Sequence, residues 1–142
     1  MKKIKLRLAR TNDAKKVTEL FIHSRFLGNG DPDVYSTIDV KEYISRKHSI
    51  VVVAEEDKKV IGALWIIVYP EYILTGACCV IKEFRKSGVY KLLSEWRTNY
   101  ALKHNIHWLE TMTASNNKRM QSIFKKQGYI KKERFIRYYK EI

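Results

Sequence analysis

Apolar and basic residues alternate at the start of the chain. Ile4, Leu6 and Leu8 are spaced by Lys5 and Arg7, the two-residue period of a half-exposed strand. The period then lengthens. Thr11-Asn12-Asp13 supplies capping residues for a helix whose Ala14, Val17, Leu20 and Phe21 share one face. From Phe26 to Tyr35 the chain carries Gly28, Asn29, Gly30, Asp31, Pro32 and Asp33, the composition of a loop and the longest irregular stretch. Asp39-x-x-Glu42 reads as a capping box for a short helix reaching about Arg46. Ser49 to Glu55 and Lys59 to Tyr69 are rich in strand-forming residues and are joined by Glu56-Asp57-Lys58, so a hairpin is predicted. Tyr72 to Ile81 extends it to an antiparallel meander of three strands. Within that third strand Gly76 predicts a bulge or a close backbone approach.

Val89, Leu92, Leu93, Trp96 and Tyr100 recur at helical spacing and predict the core face of a helix lasting to about Lys103. His107 to Thr113 reads as a strand. Met120, Ile123 and Phe124 would be the buried face of the next helix, closed by a left-handed cap at Gln127-Gly128, and Tyr129 to Tyr139 reads as a last strand. The predicted order is β α α β β β α β α β. It implies an α/β (α+β) fold, a mixed and mostly antiparallel sheet flanked by helices.

Composition narrows the picture. A chain of 142 residues is expected to form a single domain, 1–142, with one sizeable core. Its formal net charge of +13 and pI near 9.8 favour polyanionic partners: nucleic acid, an anionic membrane surface or a phosphate-rich cofactor. A solvated basic surface of no specific use explains the same charge. The basic N-terminal segment has no apolar core of its own, so no export leader and a cytoplasmic location are expected. The longest apolar run, Val60 to Pro70, has ~11 residues where a membrane helix needs ~20, so no span is predicted. Cys78 and Cys79 are adjacent on a predicted strand and point to opposite faces, which argues for packed, reduced thiols. His23, His48, His104 and His107 have no metal-ligand spacing, and no metal site is expected.

The candidate chemistry lies where the third meander strand gives way to a helix: Val80, Ile81, Lys82, Glu83, Phe84, Arg85, Lys86, Ser87, Gly88, Val89, Tyr90. A helix opening directly after a strand turns unpaired amides and the positive end of its dipole toward the loop, which favours phosphate. Arg85 and Lys86 add full charges, and Gly88 lets a ligand approach the backbone. A solvated basic turn accounts for the same residues.

Three separated segments together resemble the GNAT-type N-acetyltransferases. The first is Leu6-x-Leu8-Ala9-x-x-x-Asn12-Asp13 with its helix. The second is Val80 followed by Arg85-Lys86-Ser87-Gly88-Val89-Tyr90, similar to the family's Arg/Gln-x-x-Gly-x-Gly/Ala cofactor loop. The third is Asn117, then Phe124 and Lys125-Lys126-Gln127-Gly128-Tyr129, similar to the family's Asn-x-x-Ala-x-x-Leu-Tyr-x-x-x-Gly-Phe ending. The resemblance spans nearly the whole chain and implies the GNAT fold and acetyl-CoA as acyl donor. It implies that the strand ending at Val80 holds the pantetheine arm, that amides from Lys86 to Tyr90 hold the pyrophosphate, and that Asn117 touches the arm. Asn117 also reads as a helix cap for its own backbone.

Three positions depart from the family pattern. Phe124 stands where many members carry a proton-donating Tyr, Met112 where members that acetylate protein N-termini carry Glu, and Tyr90 where Gly or Ala is usual. Glu83, Glu110, Tyr72 and Tyr129 remain as candidate proton carriers. The expected activity is acetyl-CoA-dependent N-acetylation of a small-molecule, protein or nucleic-acid amine. Two alternatives stay open: a GNAT-fold protein that binds or modifies nucleic acid with an altered cofactor site, and an inactive binding module. For nucleic acid, the candidate surface combines Lys3, Lys5 and Arg7 with Lys131, Arg134 and Arg137, beside the aromatic and basic run Ile130 to Lys140.

Overall fold

The computed structural model describes residues 3–23, 35–132, 138 and 140–142. They fall into two compact units, Met1–Met112 and Thr113–Ile142. In the first, β1 (Lys5–Leu8) leads through a 3-10 turn at Thr11–Asp13 into α1 (Ala14–Phe21), followed by α2 (Thr37–Ser45). The meander is β2 (Ser49–Glu56), β3 (Lys59–Val68) and β4 (Tyr72–Val80). A second 3-10 turn, Lys82–Phe84, precedes α3 (Val89–Lys103) and β5 (Trp108–Glu110). The strands form one sheet in sequence order, antiparallel except for the parallel pair β4 and β5.

Alternation along the meander strands sorts the core onto two faces. Val51, Val53, Ala63 and Ala77 pack with Val17, Phe21 and Val40 of α1 and α2. Val52, Leu64, Ile66 and Ile73 pack on the other face with Val89 and Leu93 of α3. Gly62 brings α3 close: a Cβ there would lie 3.0 Å from Val89 and 3.2 Å from the Cys79 carbonyl. The β2–β3 hairpin turns through Asp57 and Lys58, both at positive φ, with Glu56 paired to Lys59. That backbone twist matches the flanking strands.

Several sequence expectations change on folding. Ser36, not Asp39, caps α2; its hydroxyl accepts from the Asp39 amide, and the Asp39 carboxylate accepts from the Ser36 amide at 3.0 Å. The buried stripe of α3 runs through Val89, Leu93, Ser94, Arg97 and Ala101, while Leu92 is 37% exposed and Trp96 and Tyr100 are half-buried. The helix is rotated because Arg97 finds polar partners inside. Leu8 is exposed although Leu6 packs inward. The predicted Phe26–Tyr35 loop lies outside the described residues except for Tyr35, which is buried against Phe21. The predicted strand His107–Thr113 is shorter, Trp108–Glu110.

In the second unit α4 (Lys118–Lys126) ends as its sequence predicts. Gly128 takes φ 83, its amide donates to Lys125 O, and the Tyr129 amide donates to Phe124 O at 3.0 Å. Phe124 and Tyr129 meet with ring centroids 5.5 Å apart, the apolar contact that completes this type of cap. Met120, Ile123 and Phe124 are half-buried, not fully buried as expected. No strand is formed at Tyr129–Lys132 or Tyr138, and the rest of the predicted last strand lies outside the described residues.

Arg7 ties β1 to the turn before α1 and to β2. Its guanidinium donates to Asp13 at 2.7 and 3.0 Å and to Glu55 at 3.0 and 2.8 Å, with all three side chains largely covered. Arg7 therefore does not join a free basic surface with Lys3 and Lys5. The Arg7 hydrogen bonds hold the Asp13 carboxyl below its ordinary range, against the opposing effect of desolvation. A carboxylate whose folded pKa is depressed stabilises the fold above its unfolded pKa of about 3.9 and loses that contribution as pH falls through the folded value. Asp13→Asn should destabilise the protein by about 1–3 kcal/mol at neutral pH. In urea titrations repeated from pH 7 to pH 2, the gap between wild type and variant should close below about pH 4.

Candidate active site

β4 gathers the candidate site because its two edges are used differently. Toward β3 it is paired from Ile73 to Val80, with one interruption: Ile66 faces Thr75 and Trp65 faces Ala77, leaving Gly76 as the extra residue of a bulge. The bulge reading of this glycine holds, while the close approach is made by a side chain and not by backbone: a Cβ on Gly76 would collide with the Trp65 indole. Trp65 is fixed by stacking on Tyr43 at 3.9 Å and by donating Nε1–H to Ser49 Oγ at 2.9 Å. Toward β5 the pairing covers only Tyr72 with Trp108, Ile73 with Leu109 and Leu74 with Glu110. Beyond Leu74, that edge of β4 has no strand partner among the described residues. A free edge presents backbone donors and acceptors to an extended ligand.

Behind the bulge, on the α3 face, Arg97 is almost wholly buried. It donates to the Thr75 and Ser94 hydroxyls. The hydroxyls supply acceptors that a buried guanidinium requires, and in return Arg97 fastens α3 to β4 one residue before the bulge. Sequence periodicity hid this residue, because an arginine between Trp96 and Tyr100 reads as a solvated position. The one local signal was the Ser94 hydroxyl a helical turn before it.

At the end of β4 the loop turns tightly, with Lys86 at φ 72 and Gly88 at φ 90. Arg85, Lys86, Ser87 and Gly88 are exposed. Arg85 donates through Nε to the Val80 carbonyl at 3.2 Å, and Ser87 Oγ donates to Phe84 O at 2.6 Å, so both side chains brace the loop. Space above Gly88 is open, with nothing within 4 Å of a Cβ built there. Val89 turns its side chain into the core, leaving only its backbone to the loop, and Tyr90 is half-buried. The N-terminal amides of α3 thus face a basic, uncovered rim, an arrangement suited to phosphate.

The candidate proton carriers separate in space. Tyr72 and Glu110 lie together on the β4–β5 pair, and Glu83 is exposed in the 3-10 turn. Desolvation first, then Tyr69, Glu110 and Glu71, push the Tyr72 phenol upward, so it stays protonated at neutral pH. Desolvation pushes Cys78 and Cys79 up to about 12, and both are free, which leaves them inert thiols. In the second unit Asn117 is buried and caps α4 by accepting from the Met120 amide at 3.3 Å. Tyr129 is half-buried beside Phe124, and Met112, at the end of the first unit, is 48% exposed. Lys131 is exposed, while Arg134 and Arg137 lie outside the described residues. A further concavity of about 430 Å³, lined by His48, Tyr69, Tyr100 and His104 among others, gathers none of the predicted site residues. No cluster of three metal-ligating side chains occurs among the described residues, and none of their helices is long and apolar enough to cross a membrane.

A family model described as the acetyltransferase (GNAT) family matches residues 14–129. No curated protein matches the chain significantly. Among solved structures, the chain is similar to AAC(6')-Iy in complex with a bisubstrate analog, CoA-S-monomethyl-acetylneamine, at 19% identity and TM-score 0.82, covering 99% of both chains. It is similar to the aminoglycoside antibiotic 6'-N-acetyltransferase AAC(6')-Ih from Acinetobacter baumannii at 17% identity and TM-score 0.78, with 99% of each chain covered. A transcriptional regulator from Bacillus halodurans C-125 aligns at 15% identity and TM-score 0.82, over 96% of this chain and 99% of that one. At these identities the likenesses establish the fold.

The bulge supplies a direct test of how tightly the β4 edge is shaped. Gly76→Ala forces a methyl into the Trp65 ring, and overpacking of this kind costs about 1–3 kcal/mol. Thermal melts should show the loss, and adding Trp65→Phe, which trims the ring, should recover part of it.

Proposed function

The chain belongs to the acetyltransferase (GNAT) family, and from that premise we propose that it transfers an acetyl group from acetyl-CoA to a small-molecule amine. The observation that carries the reading is the continuous path from the unpaired edge of β4 to the open, basic loop at Arg85–Gly88 that begins α3. An extended pantetheine arm would lie along the β4 edge toward Val80. Its pyrophosphate would meet the amides from Lys86 to Tyr90, with Arg85 and Lys86 supplying countercharge. When bound, the donor supplies a thioester activated toward amines. On this reading residues 1–142 act as one acetyltransferase domain in the cytoplasm, since the family match runs through both compact units. A small-molecule acceptor is preferred to nucleic acid because two solved relatives by fold are aminoglycoside acetyltransferases, and because Arg7 is committed to Asp13 and Glu55.

The chemistry asked of the protein is modest. Holding a neutral amine against the thioester supplies most of the acceleration, and backbone N–H groups at the β4 edge can polarise the carbonyl. General acid–base help adds about 10²–10⁴-fold. Tyr72, protonated at neutral pH, and Glu110, exposed beside it, are the pair best placed on β4 and β5 to carry protons.

Titration calorimetry with CoA should give saturable binding, and Gly88→Asp should weaken it at least tenfold by placing a carboxylate at the phosphate site and straining a backbone at φ 90. Absence of heat at millimolar CoA would overturn the reading, and recovery of binding in Tyr90→Gly would identify Tyr90 as the obstacle. Phe124→Tyr should change kcat by no more than a few-fold in either direction. A fall in melting temperature without kinetic change would place the Phe124 ring away from the sulfur.

A further inference from the structure

The far end of α3 borders the concavity of about 430 Å³, a size ordinary for a small-molecule cleft at about 300–1,000 Å³. His104, the helix-side residue that closes it, follows the 15 residues of α3, about 22 Å from the start of the helix at ~1.5 Å per residue. It therefore stands well apart from the basic loop. Tyr100 and His104 form its helix side, stacked with ring centroids 4.2 Å apart, while His48 and Tyr69 come from the start of β2 and the end of β3. Val68, Pro70 and Ile106 add aliphatic surface. The helix end is closed on itself: the Ile106 amide donates to Ala101 O at 2.9 Å, and the amide of Asn105, at φ 55, donates to Leu102 O at 3.2 Å.

The polar side-chain groups left on the lining are two imidazoles and two phenols, none of them hydrogen-bonded among the described residues. Each carries an N–H or O–H donor, and no carboxylate lines the concavity. Both imidazoles are exposed, so a ligand can reach them. His48 occupies a backbone position that glycine fills at less cost, φ 63, and its carbonyl accepts from the Val68 amide at 2.8 Å, which clamps the turn to β3. A histidine held there, beside a cleft, points to a use for its side chain.

We propose that this concavity binds a flat aromatic carboxylate of one or two rings, at a site separate from acetyl transfer. The ligand's rings lie against Tyr69, Tyr100 and His104, which favour offset or edge contacts with another aromatic system. Its carboxylate accepts from the N–H groups of His48 and His104, the stronger kind of hydrogen bond because the acceptor is charged. A cation of the same shape would meet ring faces but no carboxylate, and the net charge of +13 opposes its approach. An aliphatic carboxylate of similar size would keep the charge and lose the ring contacts.

The probe is 2-naphthoate, titrated calorimetrically into the full chain beside 2-naphthylmethylammonium and cyclohexanecarboxylate. Naphthoate should bind saturably, one per chain and at sub-millimolar concentration, about tenfold more tightly than either comparison. His48→Gly should weaken it about tenfold while the melting temperature holds or rises, because glycine relaxes the turn at φ 63. His104→Phe keeps a ring and removes the N–H; it should weaken binding about fivefold, and it carries the test if His48→Gly unfolds. Gly88→Asp and saturating CoA should leave naphthoate affinity unchanged. Absence of saturable binding overturns the inference, as do equal affinities for naphthoate and either comparison, or wild-type affinity in the folded histidine variants. Displacement of naphthoate by CoA also overturns it, since the anion would then sit at the basic loop.

Discussion

The site depends on the parting of two parallel strands. β4 and β5 pair for three residues and then separate at Leu74 and Glu110, while β4 continues to Val80. A strand left unpaired in this way exposes backbone groups that must be satisfied by water or by a ligand. Its shape is held from its other side and from both faces. β3 keeps its hydrogen bonds, Trp65 fills the space that Gly76 leaves, and Arg97 grips Thr75 from α3. Together they support the bulge that sets the direction of the free edge.

The same strand organises the polar chemistry at both ends. Beyond Val80, a loop with two left-handed residues delivers the N-terminus of α3 to a basic rim suited to phosphate. Before Leu74, the partner strand brings Trp108 beside Tyr72 and Glu110 beside Leu74. The two ends therefore present different groups, a basic loop at one and Trp108 with Glu110 at the other. Net charge says nothing of this division, because 28 basic residues against 15 acidic ones are distributed by the fold, not by the total.

Departures from the family pattern acquire physical content in this setting. Phe124 closes the cap of α4 with Tyr129, so its ring serves the helix end whatever else it meets. Val89 is core, and only its backbone serves the loop. Ser87 and Arg85 are engaged in bracing the turn, which leaves Lys86 as the loop cation without such a bond among the described residues. Loss of a tyrosine acid is compatible with catalysis when a neutral amine is already held in place.

Local periodicity was sufficient for the elements themselves. The runs of strand-forming residues in β2 and β3, the 3.6-residue spacing of α1 and the glycine at the end of α4 each act over a few residues, and the folded chain bears them out. The basic loop before α3 and the bulge at Gly76 were legible for the same reason: a glycine admits backbone conformations and close approaches that a Cβ forbids. What pairing decides is different. That β4 and β5 separate after Leu74, that Tyr72 stands beside Trp108 and Leu74 beside Glu110, and that Arg97 turns inward to Thr75 all join residues 22 to 36 positions apart. No local pattern records such contacts, since an arginine within a helix or a glutamate within a short strand looks solvated until the partner that covers or frames it arrives from elsewhere in the chain.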